Sequence, residues 1–194
     1  MSDERYRNDI KEIRALMENS TRFLSLSGWS GILAGVYALI GAYLIGFVIN
    51  TTEVPGLINI ALVGLGVMAI SLLTGGILTY RKAKNAGQTL FSKTALRMIA
   101  HIGFPMLVGA LFVASLTLSG PLELTPGVLL IFYGLGLING SKYTLNDIRG
   151  LGIVNVVLGV LALFFIQYGL YFWAAGFGLG HIVYGAYMAI KYEK

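Results

Sequence analysis

The sequence predicts an all-α, polytopic membrane protein of six transmembrane helices arranged as three helical hairpins, with the N and C termini cytoplasmic. Three observations carry this. Composition is 56% hydrophobic and 12% charged with a mean hydropathy of +0.76, more apolar surface than one soluble 194-residue core can hide. Six continuously apolar runs recur, without the in-and-out alternation of a porin strand. All fourteen Lys and Arg residues fall on one side of the topology that those runs define.

Residues 1–26 read as a cytoplasmic amphipathic helix. Ile10, Ile13, Leu16, Met17, Phe23 and Leu24 recur at three-to-four spacing, while Arg7, Asp9, Lys11, Glu12, Arg14 and Glu18 take the other faces. Such a helix either lies on the inner membrane surface and steers insertion of the first span, or docks a cytoplasmic protein partner. The opening Met1-Ser2-Asp3-Glu4 is unlike a cleavable signal peptide, so the first span is expected to remain.

Residues 27–194 form the transmembrane domain, with hairpins at about 28–80, 95–142 and 150–190. The runs are Gly28–Ile49, Leu57–Tyr80, Ala95–Leu118, Pro126–Gly140, Gly150–Gln167 and Leu170–Ile190; each is near the ~20 residues a bilayer requires except the short fourth. Arg5, Arg7, Lys11, Arg14 and Arg22 precede the first run, and Arg81, Lys82, Lys84, Lys93 and Arg97 separate the second from the third. Lys142 and Arg149 lie between the fourth and fifth, and Lys191 and Lys194 follow the sixth. The outer connections, around Thr51–Pro55, Ser119–Thr125 and Gln167–Leu170, carry only Glu53 and Glu123. The pI near 9.5 therefore reflects a face toward anionic headgroups, and no nucleic-acid partner is expected. Trp29, Tyr80, Tyr143, Tyr187 and Tyr192 are placed as inner interfacial anchors, with Tyr168, Tyr171 and Trp173 as outer ones.

The second helix of each hairpin repeats an order. Gly64-Leu65-Gly66 leads to Gly75 and Tyr80, Gly134-Leu135-Gly136 to Gly140 and Tyr143, and Gly178-Leu179-Gly180 to Gly185 and Tyr187, as a triplicated hairpin would. In lipid, close helix approach depends on small residues, and Ser30, Ala34, Ala38, Ala42 and Gly46 form a ladder at four-residue spacing beside Gly31 and Gly35. That ladder serves packing within the chain or a homo-oligomer. Pro105 cannot donate to the carbonyl of His101, four residues back, and should bend the third helix.

No span holds Asp, Glu, Lys or Arg at its middle, which counts against ion-coupled transport. The candidate polar site is His101, Pro105, Asn139, Asn155 and His181, with Arg97, Asp147 and Arg149 at the inner edge. At ~1.5 Å per residue, His101 lies about 9 Å and His181 about 13 Å from the inner ends of their spans, and the two Asn at roughly 5 to 8 Å. A shared depth in the inner half allows three roles: hydrogen bonds that glue helices, a cytoplasm-facing polar cavity, or a pH-responsive His pair. The two rings are expected to approach each other. Opposed on one iron they would hold a b-type haem, but we expect no cofactor and no metal. Catalysis is not expected either. Two His without a membrane carboxylate cannot fill an oxygenase iron site, Asp147 has no His near it in sequence, and there is no Cys.

Gly150-Leu151-Gly152-Ile153 with Leu158-Gly159-Val160-Leu161-Ala162-Leu163-Phe164, then Ala175-Gly176-Phe177-Gly178 through Gly185-Ala186-Tyr187, resembles the repeat unit of HdeD-like acid-resistance membrane proteins. Those are small six-span chains of three Gly-rich hairpins. This chain departs from them in its longer amphipathic N-terminal segment and in lacking a proline at the last hairpin turn. The resemblance implies a non-enzymatic, stress-related protein of a bacterial inner membrane. The expectation is then a non-catalytic stress-response, sensory or scaffold component acting through its basic cytoplasmic face, with membrane lipid around it. A small uncharged-solute transporter or channel is the alternative.

Overall fold

A computed structural model describes residues 6–10, 22–51, 56–85, 87 and 92–193, and every described element is helical. Helix α1 spans Gly28–Thr51, α2 Leu57–Asn85, α3 Lys93–Ser119, α4 Thr125–Gly140 and α5 Ile148–Phe164. The last helical stretch comprises α6 (Gly169–Trp173), a π-helical turn (Ala174–Leu179) and α7 (Gly180–Tyr192).

Among the described residues, four helical stretches are long and apolar enough to cross a membrane: Gly28–Ile49, Leu57–Asn85, Lys93–Leu118 and Leu122–Tyr143. The fourth run gains its length from 3-10 turns at both ends of α4, Leu122–Leu124 and Ser141–Tyr143, so it is less short than its apolar core implies. Ser92 starts α3 by accepting the Ala95 amide on its hydroxyl at 3.1 Å. After α5, the 3-10 segment Ile166–Tyr168 runs directly into α6.

The N-terminal reading needs a correction. Residues 6–10 are helical and exposed, and 11–21 lie outside the described residues, but Phe23–Ser27 is not helical. Phe23 is buried with Ala83, Ala95 and Met98, so its spacing reports a core contact rather than the apolar face of a surface helix. Its amide donates to the Tyr143 carbonyl at 2.8 Å and its carbonyl accepts the Thr144 hydroxyl at 2.6 Å. Those bonds satisfy the Phe23 backbone and hold a non-helical strap, Phe23–Ser27, against the C-terminal ends of α2 and α4 and the N-terminal end of α3.

Two antiparallel helix pairs set the packing. Gly28 lies opposite Gly185 and Gly35 opposite Gly178, joining α1 to the last helical stretch. Gly127 lies opposite Gly159 and Gly134 opposite Gly152, joining α4 to α5. Glycines of one helix are seven residues apart, two turns on the same face. A methyl at Gly134 would fall 2.5 Å from the Gly152 carbonyl oxygen, and one at Gly35 2.5 Å from that of Gly178. The residue four beyond the facing glycine closes the same space in both pairs, Ile182 over Gly35 and Val156 over Gly134. Backbones therefore touch, an approach only glycine permits.

The small-residue ladder divides among several neighbours. Ala38 and Ala42 are buried, Ser30 faces Gly75 of α2, Gly46 faces Leu170, and Ala34 is half-buried. Of the three Gly-Leu-Gly repeats, those at 134–136 and 178–180 pack against other helices, whereas Gly64 and Gly66 have nothing within 4 Å. Helix α4 packs most extensively on α5 and then on α3, and the last helical stretch lies chiefly on α1 rather than on its sequence neighbour α5. Helices α2 and α3 are peripheral, exposing Ile58, Leu62, Leu72, Leu73, Phe104, Leu107 and Leu111.

A direct comparison tests the paired-glycine contacts. Gly134→Ala should lower unfolding stability in detergent by about 1–3 kcal/mol, as overpacking does. Gly66→Ala, which meets open space, should be neutral or stabilising by up to ~1 kcal/mol through helix propensity. Equal melting temperatures for the two variants would remove these contacts from the account.

Candidate functional site

The candidate polar residues are held at two places, both anchored on α4. At the first, Pro105 lies inside an otherwise continuous α3 and leaves the His101 carbonyl without its helical donor. Asn139 supplies one: its Nδ2 donates to the His101 carbonyl at 3.2 Å and lies 3.2 Å from His101 Nδ1. Accepting at Nδ1 places the His101 proton on Nε2. The Tyr143 ring stacks on the imidazole at 4.6 Å between centroids, so this tyrosine does more than anchor an interface.

The second place is built around the π turn. There the ladder shifts by one residue, and the Gly180 amide donates to the Ala175 carbonyl five residues back. His181, buried, has Nδ1 at 3.1 Å from the Gly176 carbonyl and Nε2 at 2.6 Å from the Tyr133 hydroxyl. A carbonyl can only accept, so Nδ1 carries the proton and Nε2 accepts from Tyr133. Phe177 stacks on the imidazole at 5.9 Å and adjoins both Tyr133 and Trp173, closing an aromatic shell.

Asn155 adjoins the same turn. It is 0% exposed, and its Nδ2 donates to the Leu151 carbonyl at 2.9 Å. Among the described residues its Oδ1 has no hydrogen-bond partner, and it faces Gly176, where a methyl would lie 2.7 Å from that oxygen. Gly176 thus serves His181 with its carbonyl and makes room for the Asn155 carboxamide.

The structure therefore joins His101, Pro105 and Asn139 in one group, and Asn155 and His181 around Gly176 in another. No hydrogen bond or ring contact joins the two imidazoles among the described residues. Asn139, Tyr133 and Gly176 engage their ring nitrogens instead, an arrangement unlike opposed haem ligands. Sequence reasoning missed Tyr133 and Gly176. The available signal for Tyr133 was its hydroxyl in the middle of an apolar run, since a buried tyrosine hydroxyl usually finds a partner.

Two ion pairs tie helix ends together. Glu193 accepts the Gly28 amide at 2.9 Å and Lys82 Nζ at 3.0 Å, while Lys82 also donates to the Leu26 carbonyl at 2.8 Å. Asp147 accepts from Lys191 at 3.0 Å and from the Tyr192 hydroxyl at 2.7 Å. Partial burial works against ionising Glu193, but Lys82 and the Gly28 amide outweigh it and hold the carboxyl below its ordinary value. Asp147 is likewise held low, its desolvation overcome by Tyr192 and Lys191.

Family models, curated proteins and solved structures were each compared with the chain, and none matches it. The class is set by the fold alone: four long apolar helices mark a membrane-embedded helical protein.

Both carboxyls titrate lower in the folded chain than the ordinary values of 4.5 for Glu and 3.8 for Asp. Their contribution to stability is complete above those values and disappears as the pH falls through the depressed ones. Melting temperature should stay level from pH 7 to 5 with respect to these groups, then fall below about 4. A Glu193→Gln/Asp147→Asn variant should be less stable at pH 7 and should converge on the parent in acid. A constant difference at every pH would show that these ion pairs contribute nothing to folding.

Proposed function

We propose that this is a non-catalytic, six-span protein of a bacterial inner membrane, with both termini cytoplasmic, acting as a scaffold or sensory component through its basic inner face. On this reading α5 is the fifth span and the stretch from α6 through the π turn to α7 the sixth. The observation that carries it is the pairing of α1 with the last helical stretch, and of α4 with α5, at backbone contact. Helices so joined leave little width between them for a solute path, and Asn139, Tyr133 and His181 are engaged with neighbouring helices. The cations, by contrast, gather at one end, around the Phe23–Ser27 strap and the two ion pairs. The stress-related part of the role rests on the HdeD-like resemblance of the final hairpin.

A small uncharged-solute transporter or channel remains the second reading, because a π turn beside a buried histidine and a proline within a span are where membrane helices most readily rearrange.

Single cysteines test the topology on a chain that has none of its own. An impermeant thiol reagent applied to intact cells should label Glu123→Cys and Gln167→Cys, and should reach Lys84→Cys and Asn146→Cys only after permeabilisation. Labelling of Lys84→Cys from outside would overturn the placement. Glycerol flux through proteoliposomes above that of empty liposomes would favour the transporter.

A further inference from the structure

We infer that the inner face carries a binding site for the phosphate headgroup of an anionic membrane lipid, formed where the strap meets the α4–α5 connection. A cavity of about 490 Å³ lies there, lined by Arg22, Ile138, Ser141, Lys142, Asn146 and Arg149. Among the described residues that line it, three side chains are cationic and none is acidic. The nearest carboxylate in sequence, Asp147, is turned to Lys191 and Tyr192 and neutralises neither Lys142 nor Arg149. Among the described residues those two make no side-chain hydrogen bond or ion pair, whereas Arg22 has a further interaction of its own.

The Arg149 guanidinium, the Lys142 ammonium and the Asn146 amide offer donors from several directions, which suits the oxygens of a phosphate better than the two of a carboxylate. The Ser141 hydroxyl is already committed to the Ile138 carbonyl at 2.7 Å, so recognition rests on the cations and the amide.

The apolar surroundings distinguish a lipid from a free anion. Ile138 gives the cavity an apolar wall. From Arg149, an exposed row continues up α5 at four-residue spacing through Ile153, Val157 and Leu161, 48%, 52% and 36% exposed. A phospholipid seated by its phosphate at Arg149 would lay an acyl chain along that row. A free phosphate would use only the head of it. Basic pockets between helices on the cytoplasmic side bind anionic headgroups in this manner. The inference rests on the inner placement of this face proposed above, so the same samples are also labelled for topology.

Native mass spectrometry of the full chain, titrated with phosphatidylglycerol or phosphatidylcholine, provides the test. The parent and Lys84→Gln, an exposed lysine outside the cavity, should retain phosphatidylglycerol in preference to phosphatidylcholine. Removing two headgroup-facing cations at about 1 kcal/mol each converts to roughly 30-fold weaker retention in Lys142→Gln/Arg149→Gln. Equal retention by that variant, with its cysteine-labelling topology intact, would overturn the site while leaving the six-span reading standing. Displacement of phosphatidylglycerol by inorganic phosphate at comparable concentration would overturn the lipid as ligand and assign the cavity to a free anion. Altered labelling of the parent would count against the topology instead.

Discussion

Helices surrounded by lipid gain nothing by hiding leucine from leucine, so this bundle is organised by where backbones can touch. Paired glycines two turns apart supply that contact twice, once between α1 and the last helical stretch and once between α4 and α5. At such approach a glycine Cα and the facing carbonyl are close enough for weak Cα–H···O attraction, in addition to dispersion along both helices. The four helices so joined form the interior. Helices α2 and α3, whose glycines at 64, 66, 76 and 103 meet open space, lie outside and present leucine, isoleucine and phenylalanine to the surroundings.

The polar groups follow from that arrangement. Because α4 is gripped by α5 on one side and α3 on another, Asn139 reaches the carbonyl that Pro105 frees, while Tyr133 reaches His181. A polar side chain left facing hydrocarbon would be costly, and Asn139 and His181 each find a partner on an adjacent helix. Asn155 Oδ1 and the Tyr184 hydroxyl are buried without a partner, and we have no physical account of why they are retained. The same closeness brings Glu193 to the start of α1 and Lys82 to the strap, so three chain segments are held at one carboxylate.

Much of this was legible in the sequence, for reasons particular residues make plain. The four long apolar helices follow from unbroken apolar runs, and the consequence of Pro105 follows from its missing amide. The choice of helix partners was not legible. Gly-Leu-Gly at 64–66 looks like Gly-Leu-Gly at 134–136, and only the fold shows that the first meets nothing while the second meets α5 and Ile102 of α3. Estimated depth put His101 and His181 level, but depth along a helix does not give the direction a side chain takes around it. Phe23 fitted a surface-helix spacing equally well as a core contact, and the bond from Thr144, distant in sequence, decided between them. The π turn adds a residue to a helical turn, which a fixed helical period cannot anticipate.

Glycine-selective carbon-13 labelling with magic-angle-spinning NMR in bilayers reads the central contact directly. Paired glycine backbones predict cross-peaks between Gly134 and Gly152, and between Gly35 and Gly178, with each pair losing its peak when one member is replaced by alanine. Spectra showing only cross-peaks between glycines near in sequence would contradict the account, since the helices would then be held by side chains with their backbones apart.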